Sequence, residues 1–259
     1  MNKGVFTTGP APSHNHTHTV VFLHGRGDNV QNFTKALGYW RDSRNRTLAD
    51  AFPTFRWVFP QAPMRKCASG PETWPQWFDV WNVRDFAERE ELQALGLKEV
   101  VPAFKKLIAD EATTLGGRMD RVVLMGISMG AATAVHTLFN LHEPLAALMC
   151  FSARCPFAGR TLDGMRGVLA LDDKPENDRA LRGTPVLLEH CADDPLVLVK
   201  NGQGLRDVLR GFGADVDWRE YPDGGHWFNC PAGADDAVRF LQSHVWDRFA
   251  AMSGGEGTG

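Results

Sequence analysis

Residues 122–132 read Val-Val-Leu-Met-Gly-Ile-Ser-Met-Gly-Ala-Ala, an apolar run that turns through a Gly-x-Ser-x-Gly pentapeptide into small helix formers. A fully apolar, β-branched run suits a strand buried on both faces, as in a parallel sheet wrapped by helices. The segment that follows, to residue 141, combines good helix formers with an apolar stripe. A strand bending sharply into a helix with a serine at the bend is a nucleophile elbow. Gly126 and Gly130 keep side chains out of the place where the two backbones crowd, which lets Ser128 take strained dihedrals. With 26 glycines and seven serines in 259 residues, chance supplies such a pentapeptide roughly 0.07 times, before the flanking strand and helix are demanded.

The rest of the chain alternates in the same way. Apolar β-rich runs lie at 19–23, 56–59, 122–125, 145–151, 185–189 and 215–221. Helical patterns occupy 87–114, interrupted by Gly96 and Pro102, and then 129–140, 196–211 and 234–252. This order predicts an α/β fold with a mostly parallel central sheet, helices on both faces and chemistry at the carboxyl ends of the strands. Two stretches fit no regular element: 61–85, rich in Pro and Trp, and 153–183, rich in Asp, Arg and Gly. The length suits one domain over 18–252, with a flexible N-terminal segment over 1–17 and a disordered Gly-rich tail over 253–259.

Charge and composition remove several classes of function. A net charge of −3, a pI near 6.3 and scattered basic residues leave no footprint for nucleic acid. The cluster Arg41, Arg44, Arg46 reads as a solvated face. No apolar stretch approaches membrane-spanning length, so no stable membrane insertion is expected. The first 18 residues carry one lysine and no apolar core, unlike a signal peptide. Five cysteines, odd in number and without paired short spacings, fit reduced thiols in a cytoplasmic protein. His14, His16 and His18 alternate, but no acid or cysteine nearby completes a coordination set, and they read as a polar lead-in to the first strand. Neither metal nor cofactor is expected.

A serine hydroxyl becomes a useful nucleophile when an imidazole takes its proton and a carboxylate orients that imidazole. His226 follows the last strand pattern through Pro222, Asp223, Gly224 and Gly225 and precedes the last helix, the place for such a base. For the acid, spacing leaves Asp193 and Asp194 level, with Asp223 a lesser contender. Asp194 precedes Pro195 and has a second reading as a helix N-cap worth about 1 kcal/mol. The chain order of serine, acid and histidine is that of α/β-hydrolases. His24 ends a strand more than a hundred residues before Ser128, in the wrong order for a base, and reads as support for the loop after it. An oxyanion needs two backbone N–H donors. Met129 supplies one, and the turn containing Gly25 and Gly27 supplies the other. That turn lacks the Gly-Lys-Ser/Thr ending of a phosphate loop.

These residues resemble the acyl-protein thioesterase, or phospholipase/carboxylesterase, branch of the α/β-hydrolases over about residues 19–249. The landmarks are Val-Phe-Leu-His-Gly-Arg-Gly-Asp at 21–28, Phe-Pro-Gln-Ala-Pro at 59–63, Trp-Phe-Asp at 77–79, the serine elbow, His-Cys-Ala-Asp-Asp-Pro-Leu-Val at 190–197 and Gly-Gly-His at 224–226. The resemblance implies the α/β-hydrolase fold without a large separate lid domain, and cofactor-free hydrolysis of carboxylic esters or thioesters. It implies Asp194 as the acid and the Arg26 backbone N–H as the second oxyanion donor. It also implies that the region of Trp74, Trp77, Phe78 and Trp81 helps line an acyl channel, with packing as the alternative role of these rings. Leu196 and Val197 are further expected contacts. Met129 stands where relatives have glutamine, and His190-Cys191 replaces a more usual His-Gly. The expected partner is a small-molecule or acylated substrate, and the indoles are a candidate homodimer contact. A narrow small-molecule esterase or lactonase, or a catalytically silent ligand receptor, are the alternative readings of the same fold.

Overall fold

The strands of the computed structural model, which describes residues 4–254, are β1 (Val5–Thr8), β2 (His18–Leu23), β3 (Phe55–Pro60), β4 (Met64–Lys66), β5 (Thr73–Pro75), β6 (Val122–Ile127), β7 (Ala147–Phe151), β8 (Val186–Cys191) and β9 (Val216–Tyr221). Seven of them form one sheet in the order β1-β3-β2-β6-β7-β8-β9, and β4 and β5 pair separately as a hairpin. All neighbours in the large sheet are parallel except β1, which runs antiparallel to β3.

The helices are α1 (Val30–Leu37), α2 (Leu48–Ala51), α3 (Glu91–Thr114), α4 (Met129–Phe139), α5 (Leu162–Leu169), α6 (Arg179–Gly183), α7 (Val199–Gly211), α8 (Ala232–Leu241) and α9 (Asp247–Gly254). Alternate strand residues feed two apolar layers, as the two-residue period of a strand requires. Val21, Leu23 and Leu124 pack toward α3 to α7, whereas Val20, Phe22, Val123 and Met125 pack toward α1, α2 and α8. Strands β2, β6, β7 and β8 are therefore buried at every residue. This is the predicted α/β-hydrolase architecture, with no separate lid domain among the described residues.

The site is positioned by one reversal of strand order. From β2 the chain moves outward to β3, and β6 then returns on the opposite flank of β2. The carboxyl ends of β2 and β6 therefore part at a topological switch point, where open α/β sheets form their crevices. Leu23 pairs with Gly126 at that end, so the loops after β2 and β6 emerge side by side.

Four sequence expectations change. The two stretches read as irregular hold short elements, β4 and β5 in the first and α5 and α6 in the second. Within the stretch read as flexible (1–17), β1 forms an edge strand on β3, with Val5 opposite Pro60. All four of its residues are exposed, so it carries no burial alternation and forms through tertiary pairing. The helical pattern at 87–114 is not broken: α3 runs through both Gly96 and Pro102. The terminal helix continues from α8 through a π-helical turn at Gln242–Trp246 into α9, so it reaches residues 253 and 254 of the expected tail. The rest of that tail, 255–259, lies outside the described residues. Among the described residues, no helix is long and apolar enough to cross a membrane.

Gly96 marks where α3 crosses the chain at Phe78. A Cβ there would lie 2.4 Å from the Phe78 Cα and 2.8 Å from the Trp77 carbonyl oxygen. Backbone yields less readily than a side chain, so Gly96→Ala is expected to lower the unfolding free energy by about 1–3 kcal/mol. Urea titration checks this, and a change below ~0.5 kcal/mol would mean that the segment at Phe78 moves freely off the helix.

Candidate active site

Ser128 sits at the end of β6 with φ 56° and ψ −122°, a left-handed backbone that costs a non-glycine residue about 1–3 kcal/mol. Its N–H donates to the Phe151 carbonyl at 2.9 Å, and its carbonyl accepts the Ala132 N–H at 3.1 Å. The serine is thus pinned by the strand on one side and by the first helical hydrogen bond of α4 on the other. The glycine spacing has a steric cause. A Cβ on Gly126 would lie 2.5 Å from the Ala131 nitrogen, and one on Gly130 would lie 2.4 Å from the Leu23 carbonyl oxygen. The side chain of Ser128 is partly exposed at the bottom of a cleft.

His226 reaches the same cleft from the loop after β9. Its Nδ1 donates to Asp194 Oδ2 at 2.7 Å, so its other ring nitrogen is the one left for chemistry. Asp194 Oδ1 accepts the N–H groups of Leu196 and Val197, each at 2.9 Å. The helix N-cap reading of Asp194 is not borne out, since α7 begins at Val199 behind Leu198; one Asp194 oxygen orients the imidazole and the other ties down the turn that precedes the helix. His190 Nε2 donates to the Val197 carbonyl at 2.7 Å and lies 3.4 Å from Asp194 Oδ2. Burial disfavours the charge on Asp194, but hydrogen bonds from His190, His226 and the Val197 N–H outweigh it and hold the carboxyl well below the usual carboxylate range. Asp193 acts elsewhere, since its Oδ1 accepts the Gly225 N–H at 2.8 Å and steadies the loop that carries His226.

The loop after β2 passes beside the serine, with a Cβ on Gly25 lying 3.5 Å from the Ser128 Cβ. His24 is fully buried beneath it. Its Nδ1 donates to the Gly25 carbonyl at 2.7 Å and its Nε2 accepts the Ala62 N–H at 3.1 Å. Burial pushes the His24 pKa down, which keeps the ring neutral and suits this donor-acceptor pair. The next residue but one, Arg26, sends its Nε to Gln76 Oε1 at 2.7 Å, and its guanidinium lies 5.5 Å from the Trp74 ring. The Gly27 N–H donates to the Pro75 carbonyl at 2.8 Å, so the β4–β5 hairpin holds the loop. Met129, first in α4, carries one of the N–H groups that a helix start leaves without an intrahelical acceptor.

The cleft, about 610 Å³, brings together Arg26, Ser128, Met129, Leu196, Val197 and His226, with Trp74 on its wall. Three expected contacts are not on it. Trp77 is buried, meets Phe104 edge to face and donates its Nε1 to the His24 carbonyl at 2.9 Å. Phe78 is buried against α3, and Trp81 donates to Glu88 at 2.8 Å with Arg89 over its ring. Four large aromatic rings in eight residues show no local signal of which way each faces; the hairpin and α3 decide it. Sequence reasoning missed Val80, Val83, Phe86, Arg154 and Trp227, which also line the cleft. Trp227 had a signal in its position next to His226. Arg154 lay in a stretch without any recognisable pattern.

A sequence model of the phospholipase/carboxylesterase family matches residues 10–245. The chain belongs to this family. An acyl-protein thioesterase 1 of Gibberella zeae is 29% identical over 241 residues, spanning 91% of this chain and 94% of that one. Among solved structures, acyl-protein thioesterase 2 of Zea mays superposes with a TM-score of 0.71 at 24% identity, covering 93% and 98% of the two chains. A carboxylesterase of Bacillus cereus gives 0.65 at 15% identity, covering 94% and 96%. At these identities the structural likeness is one of fold, and it agrees with the sheet order and crevice described above.

The residue before His190, Glu189, is buried with neither carboxylate oxygen hydrogen-bonded among the described residues. Burial and the nearby Asp236 push its pKa well above the usual carboxylate range. Two neighbours on β8 and its loop therefore act on stability with opposite signs. Asp194, depressed in the folded state, adds stability that is present above an unfolded pKa of about 3.9 and lost as pH falls below it. Glu189 stays protonated when folded, while the unfolded chain releases that proton above about pH 4.3, so stability declines as pH rises. Calorimetry from pH 2.5 to 8 is expected to show Asp194→Asn flattening the acid limb and Glu189→Gln flattening the decline toward neutral pH. Curves parallel to that of the unsubstituted protein would contradict both assignments.

Proposed function

We propose that the chain hydrolyses carboxylic esters and thioesters through an acyl-enzyme on Ser128, with His226 as the base and acid and Asp194 as its orienting carboxylate. The observation that carries this reading is the 2.7 Å hydrogen bond from His226 Nδ1 to a carboxylate whose other oxygen is tied to two backbone amides, beside a serine on a strained elbow.

As Ser128 Oγ bonds to the acyl carbon, its proton passes to His226 Nε2 and the carbonyl electron pair collects on oxygen. The backbone N–H groups of Arg26 and Met129 stabilise that oxyanion. The tetrahedral species collapses, the bond to the alcohol or thiol breaks, and His226 returns its proton to the departing oxygen or sulfur. Water then gives a proton to His226 while its oxygen attacks the acyl carbon, and Ser128 leaves with the proton restored. Asp194 balances the imidazolium in both halves without taking up a proton. The apolar wall of Trp74, Val83, Phe86 and Leu196 suits an acyl chain. The thioester option draws on the names of the fungal and plant relatives. Five free cysteines, four of them buried, support residence in the cytoplasm.

Ser128→Ala is expected to abolish fluorophosphonate labelling, read by intact mass, together with turnover of 4-nitrophenyl butyrate. Labelling that persists at the original rate would overturn the nucleophile assignment. Asp194→Asn is expected to lower kcat by about 10³–10⁴-fold, and Asp193→Asn by less than about tenfold, since Asp193 contacts a loop amide rather than the imidazole. Equal losses would reassign the acid.

A further inference from the structure

The cleft wall carries a buried cation that the reaction above leaves unused. Arg154 lies three residues beyond Phe151, whose carbonyl takes the Ser128 N–H, so at most about 11 Å of chain separates it from the elbow. It lines the same cleft as Ser128 and His226, yet it is only 7% exposed. The guanidinium lies 4.0 Å from the centre of the Phe86 ring. Among the described residues its one hydrogen bond goes to the neutral Gln93 Oε1, at 2.7 Å, and no carboxylate comes within 4.0 Å of it. Burial pushes its pKa down to about 10, with Glu90 acting in the other direction, and it remains a cation at neutral pH.

A guanidinium has five N–H donors and holds a carboxylate through two parallel bonds. A buried cation with no carboxylate at salt-bridge distance is costly, and this one, attracted by Glu90 only at longer range, lines the cleft that holds Ser128. The other charges on the wall do not neutralise it. Arg26 is engaged by Gln76, Arg84 is a further exposed cation, and the one carboxylate, Asp28, accepts the Asn29 N–H at 2.8 Å. We propose that Arg154 is an anion-recognition residue, and that the preferred substrates are esters or thioesters carrying a carboxylate several bonds from the scissile carbonyl. This rests on the acyl-enzyme reading of Ser128 and narrows the substrate class of that site.

Two pairs of matched esters test it, one with the charge on the acyl side and one with it on the alcohol side. The first pair is 4-nitrophenyl hydrogen pimelate against 4-nitrophenyl heptanoate. The second is 4-carboxyphenyl heptanoate against 4-carbamoylphenyl heptanoate. The unsubstituted protein is expected to favour the carboxylate member of at least one pair by about tenfold or more in kcat/KM. Arg154→Met is expected to lower that ratio by about thirtyfold, mainly through KM, as for truncation of one partner of a desolvated charge pair. Arg154→Lys keeps the charge but loses the fork, and is expected to lower the ratio partway, which serves if Arg154→Met does not fold. The proposal is overturned if neither pair favours the anion, if the preference survives both substitutions, or if it is lost on Arg84→Ala instead. Ser128→Ala run on the same esters separates the two readings. Turnover independent of Ser128 removes the acyl-enzyme assignment, whereas Ser128-dependent turnover without anion preference removes only the role of Arg154.

Discussion

The approach of α4 to the end of β2 is the contact on which the rest of the site depends. At Gly130 the helix backbone runs so close to the Leu23 and His24 carbonyl oxygens that no side chain fits between. That proximity places the serine, the first free amides of a helix and the turn after β2 within one small volume. It is possible because β2 and β6 are parallel neighbours at the point where the sheet reverses its winding. Strain at Ser128 is then sustained by two backbone hydrogen bonds rather than by its own side chain.

A second constraint acts at β8, where adjacent residues face opposite environments. His190 points toward α7 and helps to keep Asp194 ionised, while Glu189 points toward α8, where burial favours its neutral form. The difference does not come from depth, since both carboxylates are buried. It comes from donors: Asp194 faces two histidines and two amides, and Glu189 faces none among the described residues. Burial without donors neutralises a carboxyl group, and burial with donors sharpens its charge.

Much of this was legible in the sequence, because the relevant signals were local. The strands around the elbow announce themselves as uninterrupted apolar runs, and the glycines flanking Ser128 follow from backbone crowding that any strand-to-helix bend of this kind meets. The acid was not legible from spacing, since Asp193 and Asp194 are both polar, adjacent and after the same strand. The resemblance favoured Asp194, and the structure brings it against His226 while Asp193 turns to a loop amide. The cleft wall was legible only in part. Trp74 lines it, but Trp77 and Phe78 turn into the core because α3 passes over them at Gly96, a contact between segments distant in sequence. Strand β1 and Arg154 escaped for the same reason, as each is defined by what lies across from it.

The β4–β5 hairpin has two attachments that bear on how such a cleft diversifies. It presents Trp74 to the cleft, and it also grips the turn after β2 through the Gly27 N–H and the Arg26 side chain. Trp74 lies over Gly27 so closely that a Cβ there would come within 2.6 Å of the ring. Exchange of that tryptophan therefore disturbs the turn beside Ser128 as well as the shape of the wall. Val83 and Leu196 line the same cleft with solvent-exposed side chains. Trp74 is thus tied to the turn beside Ser128, whereas Val83 and Leu196 are solvent-exposed, so the lining of this cleft is not equally open to exchange at every position.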